Sequence, residues 1–158
     1  RPALEECKKA GVVVIDIDTM VKDMEYVTAA IETDNYQAGV LCAQDMMKRL
    51  DHARIIVINN PIQASINNRI QGFMDTVADD PDYQVIAETG GAGEFEVSAD
   101  AMTALLRKNL DFDVVMGGND PTALGGDVSQ GDADKSQVRN EFEFLEFSLL
   151  CIPQGKNE

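Results

Sequence analysis

The same succession of strand, loop and helix runs four times along this chain, and that alternation constrains its fold more than any other feature. Val12-Val13-Val14-Ile15-Asp16-Ile17 is a β-branched run with no polar alternation until its end, which predicts a strand buried on both faces. A second strand is expected near residues 26–31. Asp34 opens a helix with Gln37 three residues on, a capping-box arrangement, and Tyr36, Gly39, Val40, Ala43, Met47 and Leu50 keep helical spacing. Residues 54–59 read as a strand, Ser65 as the cap of a helix whose Ile66, Ile70, Phe73 and Val77 share one face, and 83–88 as the next strand. A glycine-rich loop over 89–93 leads to a helix over 96–109, a strand over 113–117 and a further helix beginning at Asn119-Asp120-Pro121. A short helix over 2–10, with Pro2 in its first turn and Gly11 as its stop, precedes the series. Strands joined by helical crossovers pair in parallel, and right-handed crossovers place helices on both faces of the sheet. The expected class is therefore α/β, Rossmann-like.

Past Gly125 the rhythm stops. Residues 126–137 are rich in Gly and Asp, and Phe142, Phe144 and Phe147 fit neither a helical nor a strand period. The chain opens directly on a helix, with no basic-then-apolar signal segment before it, so it is expected to be a piece of something longer. No apolar run approaches the ~20 residues of a membrane span. Twenty-eight acidic against thirteen basic side chains give a formal charge of −15, which would repel phosphate backbones and anionic lipid alike. Cys7, Cys42 and Cys151 are far apart and His52 is the sole histidine, so a Cys/His zinc site is not expected and the thiols are expected to be free and buried.

In an open parallel sheet, ligands bind beyond the carboxyl ends of the strands. The polar residues there are Asp16 and Asp18, Asn59 and Asn60, the stretch 88–95, and Asn119 and Asp120. Asp, Asn and Arg grip paired hydroxyls with two hydrogen bonds from one side chain. Phe95 is placed to cover the apolar face of a sugar ring. The competing role of each Asn or Asp is a helix cap or a loop turn. Arg69 lies one turn into its helix beside Ile66, Ile70 and Phe73, and its competing role is a surface ion pair. With one imidazole in the chain, no hydrolytic triad is expected. Gly90-Gly91-Ala92-Gly93 lacks the spacing of a nucleotide loop. Val14-Ile15-Asp16-Ile17-Asp18-Thr19 resembles the nucleophile strand of haloacid-dehalogenase-type phosphatases, in which one Asp attacks phosphorus beside magnesium. Met20 departs from that pattern, and no downstream lysine and acidic pair follow it at later strand ends.

Four segments together resemble the ribose- and galactose-type periplasmic sugar-binding proteins, whose type I fold is shared with lactose-repressor-type effector domains. Residues 3–18 resemble the family's helix, glycine and strand ending in a sugar-binding Asp. Glu32-Thr-Asp-Asn-Tyr-Gln-Ala-Gly39 resembles its hinge crossing into the second lobe. Ser65-Ile-Asn-Asn-Arg-Ile-Gln-Gly-Phe73 resembles its helix with a ligand-binding Arg three residues before Gly. Gly118-Asn-Asp-Pro-Thr-Ala-Leu-Gly125 resembles the segment whose Asn binds sugar. Order and spacing agree over residues 2–125.

The resemblance implies an incomplete two-lobe architecture: 1–33 as a remnant of the first lobe and hinge, 34–125 as part of the second lobe, and 126–158 as an unmatched tail. It implies ligand contacts by Asp18, Thr19, Arg69, Phe95 and Asn119, no cofactor and no catalysis. Many ribose-type members have Arg where Thr19 stands, which argues against ribose itself. The implied function is the substrate-binding component of an ABC-type sugar-uptake system, periplasmic or extracellular, handing its ligand to membrane permease subunits. The alternatives are the effector domain of a sugar-responsive repressor and, from another class, the magnesium phosphatase. Residues 1–33 would leave strand edges and apolar faces open, to be covered by the tail phenylalanines or by a second copy of the chain.

Overall fold

The computed structural model describes residues 1–133, and these divide into two compact units, Arg1–Asp34 and the remainder from Asn35 on. The division falls inside the segment 32–39. Phe142, Phe144, Phe147 and Cys151 lie outside the described residues.

The smaller unit holds α1 (Pro2–Lys9), β1 (Ile15–Ile17), a single 3-10 turn (Met24–Tyr26) and β2 (Ala29–Ile31). Gly11, at φ +70°, turns the chain out of α1. Lys8 Nζ donates to the Glu25 carbonyl at 3.1 Å and the Tyr26 hydroxyl to Glu5 Oε1 at 3.3 Å, tying α1 to the 3-10 turn. β1 and β2 pair in parallel, Ile15 opposite Ala29 and Ile17 opposite Ile31. The strand expected over 12–17 is therefore shorter, and it is not buried on both faces. Ile15, Ile17 and Ile31 are 56%, 69% and 65% exposed. A two-stranded sheet shields little of its own surface, and among the described residues of this unit none is buried.

The larger unit is the repeating α/β part: α2 (Asn35–Arg49), β3 (Ala53–Asn59), α3 (Ala64–Val77), β4 (Tyr83–Gly90), α4 (Phe95–Leu106), β5 (Val114–Gly117) and α5 (Asp120–Ala133). Its three strands are all parallel, in the order β4-β3-β5. Alternation along β3 splits the core in two. Ala53, Ile55 and Val57 pack with Cys42, Ala43 and Met46 of α2 and Ile66, Ile70, Phe73 and Val77 of α3. Ile56 and Ile58 point to the opposite side, with Met102 and Leu105 of α4. The expected helix face of Ile66, Ile70, Phe73 and Val77 is buried throughout. On α2 the buried stripe is rotated: Cys42 and Met46 join Gly39 and Ala43, while Tyr36 is exposed and bonds Asp75 Oδ2 through its hydroxyl at 3.0 Å. Ser65 is not the cap of α3. Gln63 holds that position, and Ser65 lies buried in the first turn. β4 runs on through Gly90, so the glycine loop is shorter than expected, and α5 continues past Gly125 to Ala133. Cys42 is buried and Cys7 partly buried, and among the described residues neither is in a disulfide.

Two glycines set the spacing of α2 against α3. A Cβ on Gly39 would overlap the Arg69 carbonyl, and one on Gly72 would overlap the Tyr36 carbonyl. The helix backbones therefore touch where they cross, and the register of α2 on α3 is fixed by contact between main chains.

The start of β5 is pinned to the start of β3. Asp113 Oδ2 accepts from the Arg54 backbone N–H at 2.8 Å and from Arg54 Nε at 3.3 Å, while Arg54 Nη1 bonds Asp111. Burial pushes the Asp113 carboxyl up, but the Arg54 hydrogen bonds and charge outweigh it and hold the group below its ordinary value. A carboxyl depressed in the folded state contributes stability that is complete above its unfolded pKa, about 3.9, and is lost as pH falls through the folded value. Asp113→Asn is therefore expected to lower stability at pH 7 and to flatten its fall below pH ~4. Urea melts across pH 2.5–7 check this, and an unchanged acid slope would refute it.

Candidate functional site

Because β3, β4 and β5 are parallel, their carboxyl ends share one edge, and the N-termini of α3, α4 and α5 follow directly from it. Three of the expected site residues gather there. Arg69, half-buried in the second turn of α3, donates from Nε to Asn35 Oδ1 at 2.7 Å and from Nη1 to the Gly118 carbonyl at 3.1 Å, just beyond β5. Among the described residues it makes no surface ion pair. Two hydrogen bonds from different edges of a planar guanidinium fix its orientation, while Nη2 donates to no group among the described residues.

Asn119 follows Gly118. Its Oδ1 accepts from the Thr122 backbone N–H at 3.1 Å, the N-cap bond of α5, and its Nδ2 donates to the Gly93 carbonyl at 3.1 Å. Asn119 is thus a helix cap and a brace for the loop between β4 and α4. One N–H and one lone pair of its amide have no partner among the described residues. Asn60, buried at the end of β3, accepts from the Ile62 N–H at 3.2 Å and flanks the same loop, since a Cβ on Gly93 would approach its Nδ2 to 2.9 Å. Phe95 opens α4 and is 41% exposed. Asn59 Nδ2 donates to Glu88 Oε2 at 3.3 Å, an exposed bridge between β3 and β4.

Asp18 and Thr19 belong to the smaller unit. Asp18 has φ +82°, a left-handed conformation that non-glycine residues adopt at a cost and that collects at functional positions. Its N–H donates to the Ile31 carbonyl at 3.0 Å, which closes β1 onto the end of β2, and its side chain is exposed. The Thr19 hydroxyl lies 3.5 Å from Asp18 Oδ2. Asp16 serves the loop instead, its Oδ2 accepting from the Val21 N–H at 2.7 Å.

Asn35 was not among the residues picked out by the sequence. In the chain it is one polar residue at a helix opening, and its 3% exposure and its bond to Arg69 come only with the α2–α3 packing. Among the described residues no cluster of His, Cys, Asp and Glu could hold a metal ion, and no helix is long and apolar enough to cross a membrane.

The double role of Asn119 has a measurable consequence. Asn119→Ala removes the cap and the loop brace together and is expected to cost about 1–2 kcal/mol without any ligand. Asn119→Asp, which keeps the capping oxygen, should lose less. Urea unfolding of the three proteins checks the order, and an alanine variant as stable as the parent would contradict it.

The periplasmic binding protein domain matches residues 1–131. The chain belongs to this family. Among curated relatives of this periplasmic binding protein domain is a D-apiose import binding protein of Actinobacillus succinogenes, 25% identical over 140 residues, covering 86% of this chain and 44% of the relative. An ABC transporter solute binding protein from Agrobacterium vitis with bound D-fucose superposes with a TM-score of 0.73 at 26% identity, over 86% of this chain and 48% of that one. An arabinose binding protein from Geobacillus stearothermophilus gives 0.70 at 25%, over 85% and 47%. The chain thus spans about half the length of the proteins it matches. Parallel sheets flanked by helices are the type I fold of these binding proteins. These relatives are, by name, import or solute binding proteins for sugars.

Proposed function

We propose that this chain is part of the substrate-binding component of an ABC-type sugar-uptake system, working in the periplasm or outside the cell and passing its ligand to membrane permease subunits. Binding is non-covalent and uses no cofactor. The observation that carries the reading is the guanidinium of Arg69, oriented by Asn35 and Gly118 at the carboxyl edge of the sheet in a periplasmic binding protein domain whose relatives include sugar-binding proteins. An oriented guanidinium donates to two vicinal hydroxyls more readily than a mobile one, because less conformational entropy is lost on binding. Asn119 offers its remaining N–H and lone pair, and Phe95 offers a flat apolar surface to a ring face. Asp18 and Thr19 are the smaller unit's ligand groups, the carboxylate accepting from a hydroxyl. The domain limits follow the same reading, with residues 1–33 drawn from the first lobe and hinge and 34–125 from the second; the family match itself runs on to residue 131.

The test is a thermal-shift screen of the chain against D-apiose, L-arabinose, D-fucose, D-allose and further pentoses, hexoses, polyols and sugar phosphates. A ligand at one hundred times its Kd adds about 2.7 kcal/mol to the native state, which raises Tm by roughly 5–10 °C. One neutral sugar that does this supports the reading. A melt unmoved by every member of the panel removes sugar binding from this chain.

A further inference from the structure

We infer that Asn35 is the positioning residue for Arg69: its buried side-chain oxygen holds the guanidinium in the plane in which it meets ligand hydroxyls. This rests on the sugar-binding reading above for its consequence, but not for its geometry. Asn35 is the first residue of α2 and is 3% exposed, and Arg69 Nε reaches its Oδ1 at 2.7 Å. A buried amide oxygen needs a donor, and a guanidinium needs its Nε satisfied if its plane is not to rotate about the Cδ–Nε bond. The Gly118 carbonyl, at 3.1 Å from Nη1, supplies the second point of attachment. Two attachments, through Nε and Nη1, define the plane and leave Nη2 without a partner among the described residues.

The helix crossing makes the pair rigid. Gly39 stands one turn after Asn35 and touches the carbonyl of Arg69 itself, and Gly72 touches the carbonyl of Tyr36, next to Asn35. Main-chain contact at these two glycines therefore fixes how far Asn35 lies from Arg69, without relying on long side chains. A neutral acceptor also leaves the full positive charge of Arg69 for the ligand. A carboxylate at position 35 would hold the guanidinium at least as tightly but neutralise it.

The experiment uses the whole chain, labelled with nitrogen-15, and follows the Nε–H resonance of Arg69, assigned by its absence in Arg69→Lys. In the parent protein this proton is expected to exchange with water at least about tenfold more slowly than that of Arg107, which is exposed. Equal rates would overturn the proposal without any variant having to fold. Asn35→Ala is expected to bring the Arg69 rate to that of Arg107, and Asn35→Asp to restore the slow rate. A slow rate that survives in Asn35→Ala, or one that Asn35→Asp does not restore, would also overturn it. With a neutral sugar found by the thermal-shift screen as probe, Asn35→Ala is expected to weaken binding about tenfold, with partial recovery in Asn35→Asp. An exchange pattern as expected with no sugar bound by the parent chain would remove the binding function and leave the positioning intact.

Discussion

Gly72→Ala is expected to lower the stability of the larger unit by at least about 3 kcal/mol and its Tm by 10 °C or more. In an exposed helix the same change stabilises by about 1 kcal/mol, because alanine loses less backbone entropy than glycine. The two effects have opposite signs, so the experiment decides which one governs. Packing should win here, since the added methyl would overlap the Tyr36 carbonyl, a backbone atom that cannot turn aside as a side chain would. Relief requires α3 to move bodily off α2, opening the core around Phe73 and Met46. Asn68→Ala, at an exposed position of the same helix, is the control and should leave stability unchanged or slightly raised. Urea melts of the two variants and the parent measure it. A Gly72→Ala protein as stable as the parent would mean that the helices are not in backbone contact.

Arg69→Ala is expected to weaken sugar binding at least about a hundredfold, the loss that goes with a charged two-point hydrogen-bond partner. It should also cost stability with no ligand present, about 1–3 kcal/mol, because Asn35 Oδ1 loses the guanidinium and the Gly118 carbonyl loses its Nη1 bond. Arg69→Lys separates the two contributions. A lysine keeps the charge but gathers its donors on a single nitrogen, which cannot bridge Asn35 and Gly118 while reaching a ligand, so it should recover part of the stability and little of the affinity. Calorimetric titration with the sugar that the parent binds measures the first effect, and urea unfolding of the free proteins the second. Unchanged affinity in Arg69→Ala would remove Arg69 from the site.

Both expectations depend on contacts between residues far apart in the sequence, and the two kinds of information were unequally legible. The core face of α3 could be read directly, because Ile66, Ile70, Phe73 and Val77 recur at the period of a helix and nothing about their neighbours alters that. The parallel pairing was legible for a similar reason: apolar β-branched strands separated by helix-length segments leave few other topologies. Position 65 was not legible. A serine before an apolar stripe is a good cap by type, yet the chain enters α3 at Gln63 and Ser65 is taken into the core. Asn119 was a site candidate whose competing role, the helix cap, is the one its Oδ1 performs.

What the sequence determined by itself was local and periodic: which segments are helix and which strand, their order, and the apolar face of α3. It determined these because backbone preference and hydrophobic spacing act over a few residues. The tertiary structure alone decided that Gly39 and Gly72 face each other's helix, that Arg69 meets Asn35 and Gly118, and that Ile15, Ile17 and Ile31 stand exposed. Those outcomes depend on where distant segments come to lie, and burial and hydrogen-bond partnership belong to pairs of surfaces rather than to single residues.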